Sequence, residues 1–591
     1  MSTPPSNAES PAPGAIPLAD FAPLRPAERV LLRAYLKGDI ARVGLRRPLM
    51  PSAEITVRGA FVAYLARGGP QGQFAPQRVQ IVGAWVEGGI DLRYASVPEA
   101  LWFYRCVFNA TPRLDSARVG GSVSFPGCLL PGLRAEDCTI AGNLALNSGC
   151  TVRTELRLAR ARIGRDLNLE GLQLRSAEQS KAPIQRRISA EGARIDGNVI
   201  LQRGFESDGD LYLVGLRVAG DLRASHARVS GGVDSDGQRG DALNLDHARI
   251  AGSVTLDHGF SATGLVRLKQ ARIEGDLDCT GASFDAMGEL SWLDGVTLSL
   301  ERARIGGTLA LARQSRPLHG ASLAGARAGT LLDGESTWGE ELALDGFAYQ
   351  RFGTSAATDG ASRLRWLMRQ SAAHLSRDFR PQPWRQLIRV LRQSGHHAAA
   401  SEVAVALEAH WARIGRVGAG APRGLRWLAQ ASHRVFGALV GYGHRPLRLV
   451  GAMAALWLFS GALYWAAAEY GAIAPSNPLV YNDPRYADCR AKTASADGAN
   501  WTRCAALPAE HPAFRPFAYS LEMLLPFIDL RQRNQWTAID SHRDFTQPEA
   551  WSAASTWGLA TRVMSWYEML AGWLALALLA LLALRLFERE R

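Results

Sequence analysis

The sequence predicts a mainly β fold: a parallel β-solenoid (β-helix) with a helical hairpin and two C-terminal transmembrane helices. Three observations predict it. Long stretches of the first half align with one another without gaps. A short signature with apolar residues at alternate positions recurs inside them. Two apolar runs of membrane-spanning length lie near the C-terminus, with arginines beside their outer ends.

The aligned stretches begin at Leu146, Leu201 and Leu256, with a degraded copy from Leu311 and a partial forerunner, GAWVEGGIDL, from Gly83. Their period of about 55 residues belongs to repeat arrays. Inside it runs A-R-[I/V]-x-G-x-[L/V]-x-[L/F], seen as ARVGGSVSF, ARIGRDLNL, ARIDGNVIL, ARIAGSVTL, ARIEGDLDC and ARIGGTLAL. Val119, Ile163, Ile195, Val218, Ile250, Ile273 and Ile305 fill its branched position. Val123, Leu167, Val199, Leu222, Val254, Leu277 and Leu309 follow four residues later. Alternate apolar residues face one side of a strand, so stacked right-handed coils would bury them as columns. The glycine between the two positions is expected to turn a sharp corner. Signature spacing alternates between about 23 and 32 residues, which gives two coils per period, one with an extra loop. The loops fall near 175–190, 231–242 and 286–296.

The 591 residues divide on this reading into nine segments. They are a disordered tail (1–27), an N-terminal cap (28–75), the solenoid (76–350), a helical hairpin region (358–416), a basic interfacial helix (417–446), transmembrane helix 1 (447–470), an extracytoplasmic loop (471–564), transmembrane helix 2 (565–587) and a cytoplasmic tail (588–591). The N-terminus lacks the charged start and apolar run of a secretory signal. A composition of 47 % hydrophobic and 21 % charged residues excludes wholesale disorder. The net charge of +12 suits nucleic acid, anionic lipid or acidic partners alike, and its position along the chain favours lipid.

An arginine opens most signatures. Arg162, Arg194, Arg217, Arg249, Arg272 and Arg304 form a candidate stripe for an anionic partner, preceded by Arg118. Asp166, Asp221 and Asp276 stand four residues after three of them, so the alternative is a charge ladder that keeps the coils soluble and in register. DSDGQRGD (Asp234 to Asp241) lacks the full calcium-loop pattern and reads as a plain loop.

PWRQLIRVLRQSG begins with proline and ends with glycine, as a helix should, with Trp384, Leu387, Ile388 and Leu391 on its apolar face. A second helix over 396–414 turns Ala399, Val403, Ala406 and Leu407 inward. One hairpin cannot bury its face alone, so it is expected to cap the solenoid. His396 and His397 are adjacent and do not share a helix face, which disfavours a metal site.

Seven arginines and no acid lie between residues 413 and 448, ahead of the first apolar run. Arg423, Arg426, Arg434, Arg445 and Arg448 are candidate lipid-headgroup contacts. Arginine beside both outer ends places both termini and the solenoid in the cytoplasm of a two-span inner-membrane protein. Cys489 and Cys504 in the outer loop are a candidate disulfide, whereas Cys106, Cys128, Cys138, Cys150 and Cys279 should stay reduced. VGYG at 440–443 spells a potassium filter but precedes the first span, so it reads as a turn. Residues 513–536, with Tyr519, Glu522, Pro526 and Asp529, contain a short apolar helix broken by proline. They form either a re-entrant element or a core helix of the outer loop.

GAWVEGGIDL, the ARIxGDL signatures, STWGEELALDGFAY, RLRWL, RPQPWRQLIRVLRQSGH, GYGHRPLRL and YSLEMLLPFIDLRQRNQW occur in this order. In this the chain resembles a family of uncharacterised bacterial membrane-anchored proteins, related in pattern to pentapeptide-repeat proteins and often labelled membrane-associated oxidoreductase. The resemblance spans about Val57 to Trp536 and implies an inner-membrane protein, but brings no catalytic residues with it. The residues themselves give the oxidoreductase label no support. GxGxxG after a strand, CxxCH, HExxH, GxSxG and Walker A patterns are absent. No catalytic, cofactor or metal residue is expected. Three readings stand: a membrane-tethered scaffold for a protein or anionic ligand, an oligomeric channel using the two spans and 513–536, and an oxidoreductase. The partners expected are membrane lipid, an unidentified protein and further copies of the chain, and no nucleic acid.

Overall fold

The computed structural model describes residues 18–69, 76–175, 186–232, 240–285, 296–318, 320–420, 422–443, 445, 447–486, 489, 500–508, 511–539 and 553–589. The chain forms two units, Met1–Ala404 and Val405–Arg591. DSDGQRGD, except Gly240 and Asp241, lies outside the described residues, as does most of each inserted loop.

The first unit holds three sheets of 21, 10 and 9 strands among the described residues, so each circuit gives two short strands to the first sheet and one to each of the others. Pairing within them is parallel. Ile163 sits beside Ile195, Ile195 beside Val218, Val218 beside Ile250, and so on through Ile273 to Ile305. Leu167, Val199, Leu222, Val254, Leu277 and Leu309 form the matching second column. Both columns are fully buried. Each such side chain removed from water contributes about 1.5–3 kcal/mol, repeated at every rung. The pairing starts earlier than expected: Ala41 pairs with Ile81, and Thr56 with Trp85, so Ala41–Arg42 and Thr56–Arg58 belong to the sheets as well as to the cap.

The signature glycine has a different task from the one expected. Gly197, Gly220, Gly252, Gly275 and Gly307 do not adopt positive φ. They stack, each N–H donating to the carbonyl one circuit earlier, 3.0–3.1 Å away. A Cβ on Gly220 would lie 2.9 Å from the Gly197 carbonyl oxygen, and one on Gly252 would lie 2.8 Å from that of Gly220. Close backbone approach, rather than a left-handed turn, therefore excludes a side chain. The left-handed corner lies two residues before the rung that the signature arginine fills in most circuits. It is occupied by Tyr94, Ser116, Asp137, Arg160, Gly192, Gly215, His247, Gln270, Arg302, Gly325 and Gly346, all at positive φ.

A polar ladder runs beside the glycines. Ser122 Oγ accepts from the Asn143 N–H, Asn143 Oδ1 from Asp166, Asp166 Oδ1 from Asn198, and Asn198 Oδ1 from Asp221. Asp221 Oδ1, Ser253 Oγ and Asp276 Oδ1 continue it to Thr308. Each rung satisfies a backbone donor that the short strands leave open.

Helices close both ends of this unit. α1 (Pro26–Lys37) starts at a proline and ends at Gly38, which has φ 72°. α2 (Gly59–Ala66) follows the second strand. Glu28 of α1 is buried and accepts from Arg58 Nε (2.8 Å), Arg58 Nη2 (2.7 Å) and two backbone N–H groups. Burial alone would raise its carboxyl, but these bonds outweigh that and hold it below its ordinary range. Part of the tail expected over 1–27, residues 18–27, is structured. A 3₁₀ turn at Leu18–Phe21 buries Phe21 against Phe61 and Tyr64. At the other end are α3 (Gly360–Leu367), α4 (Ala372–Leu375), α5 (Gln382–Gln393) and α6 (His397–Arg413). α5 buries Trp384, Leu387, Ile388 and Leu391, and Gln386 Nε2 donates to the Tyr349 carbonyl of the last strand. The inward face of α6 is centred on Ala400, Val403, Ala404 and Leu407, so Ala399 and Ala406 are only half-buried. The buried pair Arg363–Asp333 (2.7 and 2.8 Å) ties α3 to the sheet end, and Trp338 Nε1 donates to the same carboxylate.

The second unit contains α7 (Arg423–Val440), α8 (Leu447–Glu469), α9 (Pro478–Tyr481), α10 (Pro516–Leu524) and α11 (Ala553–Arg589). α8 and residues 556–581 of α11 are each long and apolar enough to cross a membrane. α11 begins before the expected 565. Trp557, in its first turns, stacks on Tyr470 just beyond α8. A short antiparallel pair, Ile473–Pro475 with Trp536–Ala538, holds the intervening chain together.

Candidate anionic-partner surface

The first sheet brings the stripe arginines into one ladder. Arg162 sits beside Arg194, then Arg217, Arg249, Arg272 and Arg304, all exposed and in register. Arg327 adds a seventh rung. It escaped sequence reading because ARAGTLL is a degraded signature. Arg118 lies beyond Thr139, which interrupts the row. Neighbouring strands stand about 4.8 Å apart, so seven like charges are stacked at that interval. Like charges directly opposite one another destabilise a sheet.

None of these seven side chains forms an ion pair among the described residues. Arginines elsewhere on the same unit do: Arg134 with Asp115, Arg157 with Glu155 (2.8 Å), Arg160 with Asp137 (2.7 Å), Arg203 with Glu170 and Arg267 with Asp241. The aspartates expected to offset the stripe are engaged otherwise. Asp166, Asp221 and Asp276 accept backbone N–H groups in the polar ladder, and Asp221 also pairs with Arg223 (2.8 Å). That backbone bond, with Arg223, holds the Asp221 carboxyl below its ordinary range. Arg194, Arg217, Arg249 and Arg272 line a shallow groove of about 320 Å³ floored in part by Ala219 and Ala251, with Asp196 and Glu274 at its edge.

A second charged group lies on the third sheet. Arg267 pairs with both Asp241 and Asp246, and Asp210 accepts from the Gly232 N–H. Burial pushes the Asp210 carboxyl up to about 6, and raises Asp241 as well. Among the described residues no three His, Cys, Asp or Glu side chains are gathered as metal ligands, and His396 and His397 join no such group. The thiols of Cys106, Cys128, Cys138, Cys150 and Cys279 are buried. Burial pushes Cys138 and Cys150 up to about 12, which suppresses thiolate chemistry.

In the second unit, α7 exposes Leu425, Trp427, Leu428 and Val435. Arg426 donates to the Gly415 carbonyl, while Arg434, Arg445 and Arg448 are exposed; Arg423 is its first residue. Residues 441–443 form a 3₁₀ turn after α7. Cys489 and Cys504 are brought together, with 5.9 Å between Cα atoms, within the span of a disulfide.

The candidate element 513–536 packs on both apolar helices. Tyr519 and Glu522 are buried on α10, Pro526 follows its end, and Asp529 is exposed. Glu568, the lone acid inside the second apolar run, accepts from Tyr464 Oη and Ser520 Oγ, each at 2.6 Å. Sequence reading passed over it, although an acid within an apolar span is itself a signal.

No protein-family model, curated protein or solved structure matches the chain.

Proposed function

We propose that the chain is a membrane-tethered repeat scaffold whose arginine ladder binds an extended acidic segment of a partner protein. On this reading the first unit is a parallel β-solenoid, α8 and α11 cross the bacterial inner membrane, and both termini face the cytoplasm. The resemblance to the membrane-anchored family, the exposed apolar residues of α8 and α11, and the flanking arginines support it. The Cys489–Cys504 disulfide then lies on the oxidising side, and α7 rests on anionic headgroups through its arginines.

One observation carries the binding surface. Among the described residues, seven stacked arginines lack the carboxylate partners that neighbouring arginines have. Self-repulsion makes the empty ladder costly, and an acidic strand laid along it would relieve that cost. Binding should weaken steeply with salt, because exposed charges are screened over about 8–10 Å.

The test is titration of the full-length protein in detergent with fluorescent poly-glutamate. Arg217→Ala with Arg249→Ala is expected to weaken binding about tenfold or more, and Arg157→Ala is expected to leave it unchanged. Equal losses from all three substitutions would reject the ladder as the surface. Stronger binding of a nucleic-acid duplex than of poly-glutamate would replace the acidic protein partner.

A further inference from the structure

The segment after α10 sits at an unusual level. Ser520 Oγ donates to Glu568 and lies 3.1 Å from the Trp457 carbonyl, and Phe517 lies against Gly461. A Cβ on Gly572 would meet the Leu524 carbonyl. Trp457 and Gly461 are near the middle of α8, and Glu568 and Gly572 near the middle of the apolar part of α11. α10 is therefore level with the centre of both apolar helices. The chain turns after Pro526 and comes back at the same level: the N–H groups of Gln532 and Arg533 donate to Glu522 Oε2 at 2.8 and 3.1 Å.

This turn carries charge at its surface. Asp529, Arg531, Arg533 and Asn534 are all exposed. Asp529 is occupied by the Arg531 N–H (2.9 Å), while neither guanidinium has an ion-pair partner among the described residues. The other Glu522 carboxylate oxygen is buried without a hydrogen-bond partner among the described residues. Hydrocarbon is a poor neighbour for such groups. An arginine at mid-bilayer costs about 2.5–3.5 kcal/mol even on insertion scales. Non-helical backbone at that depth is tolerated only against protein or a water-filled cavity. Among the described residues, a single copy supplies neither on this face.

We propose that several copies of the chain assemble with residues 525–534 turned inward, so that Arg531 and Arg533 line a water-filled passage for small inorganic anions. The inference rests on the reading that α8 and α11 cross a membrane. Further copies are the occupant that covers the exposed turn. Rings of arginine attract anions and repel cations, and the Asp529 charge is partly spent on its own turn. Trp566, Leu570, Trp573 and Leu574 are then left to face lipid.

The experiment reconstitutes full-length protein in vesicles of phosphatidylethanolamine and phosphatidylglycerol and measures chloride and potassium flux. Carbonate extraction is run on the same vesicles. The expected result is retention in the membrane with chloride flux about tenfold or more above potassium flux. Arg531→Gln with Arg533→Gln should bring the two fluxes near parity, and Arg533→Lys should keep the preference, which separates charge from misfolding. Extraction by carbonate overturns the spanning reading and this inference with it. Retention without flux, or with potassium preferred, overturns the passage alone.

Discussion

The two units bury their apolar surface in opposite ways. In the sheet-forming unit the same contact is made over and over: Ile163, Ile195, Val218, Ile250 and Ile273 each touch a near-copy of themselves one circuit away. In the apolar-helix unit each contact occurs once. Gly461 admits Phe517, Gly572 admits the Leu524 backbone, and Glu568 alone gathers Tyr464 and Ser520. Stability that is a sum over neighbouring repeats tolerates a local fault. A bundle keyed on single residues does not. The ends of the sheet-forming unit depart from its own rule, because Asp333–Arg363 is buried on both sides and the buried Glu28 carboxylate is held by a half-exposed Arg58.

The sharpest challenge to this contrast is at those ends. Arg363→Ala leaves the Asp333 carboxylate buried and unpaired, and should cost about 3–5 kcal/mol. Urea unfolding of the full chain measures it; a loss no larger than that from a surface arginine would refute the assignment. Ile250→Ala in mid-column should cost about 2–4 kcal/mol. Hydrogen exchange should show the damage confined to adjacent circuits, and protection lost across the whole unit would end the repeat picture. Gly572→Val drives a side chain into the Leu524 carbonyl and should cost about 1–3 kcal/mol, dislodging α10. Faster proteolysis between residues 513 and 536 reports it, and an unchanged pattern would show that the close approach is dispensable.

Asp210 gives a smaller effect with a defined sign. Its folded value of about 6 is raised above the ordinary 3.8, so the native state holds its proton more tightly than the unfolded chain. The associated stability is present below pH 4 and is lost as pH rises through about 6. Asp210→Asn should therefore stabilise the protein at pH 7.5 by about 1–2 kcal/mol, and have little effect at pH 4. Thermal melts at the two pH values decide it, and an equal shift at both would contradict the titration. Smallest is the corner pair. Gly192→Ala should cost about 1 kcal/mol, whereas His247→Gly should be neutral or slightly stabilising, since both positions are left-handed. Equal melting shifts of the same sign would dismiss the corner rule.

The ladders were legible because burial demands apolar side chains at fixed intervals, and Ile195, Ile250 and Ile305 recur in step. Arg162 to Arg304 were legible for the same reason, being next to those positions. The left-handed corner was not, since Tyr94, Ser116, Asp137 and Gln270 share a conformation and no chemistry. The polar ladder was hidden similarly: Ser, Asn and Asp all present an oxygen at one rung, so the residue type varies while the bond persists. Glu28–Arg58 and Asp333–Arg363 join residues thirty apart in helix and strand, a relation that periodicity does not carry. Glu568 and Tyr464 are farther apart still. The stripe was visible, but its lack of partners appeared only when Asp166, Asp221 and Asp276 were found bonded to backbone.

The third sheet carries one more consequence. Its strands at Arg186–Ser189, Asp241–Asn244 and Leu298–Ser299 are each reached from an inserted loop, and those at Asp210–Tyr212 and Leu265–Arg267 between them are not. Two rungs of a parallel ladder measure about 10 Å. The strands that follow the inserted segments thus fall on every second rung, at an even pitch. Tags placed immediately ahead of Arg186, Asp241 and Leu298 would inherit that pitch, turning the protein into a molecular ruler.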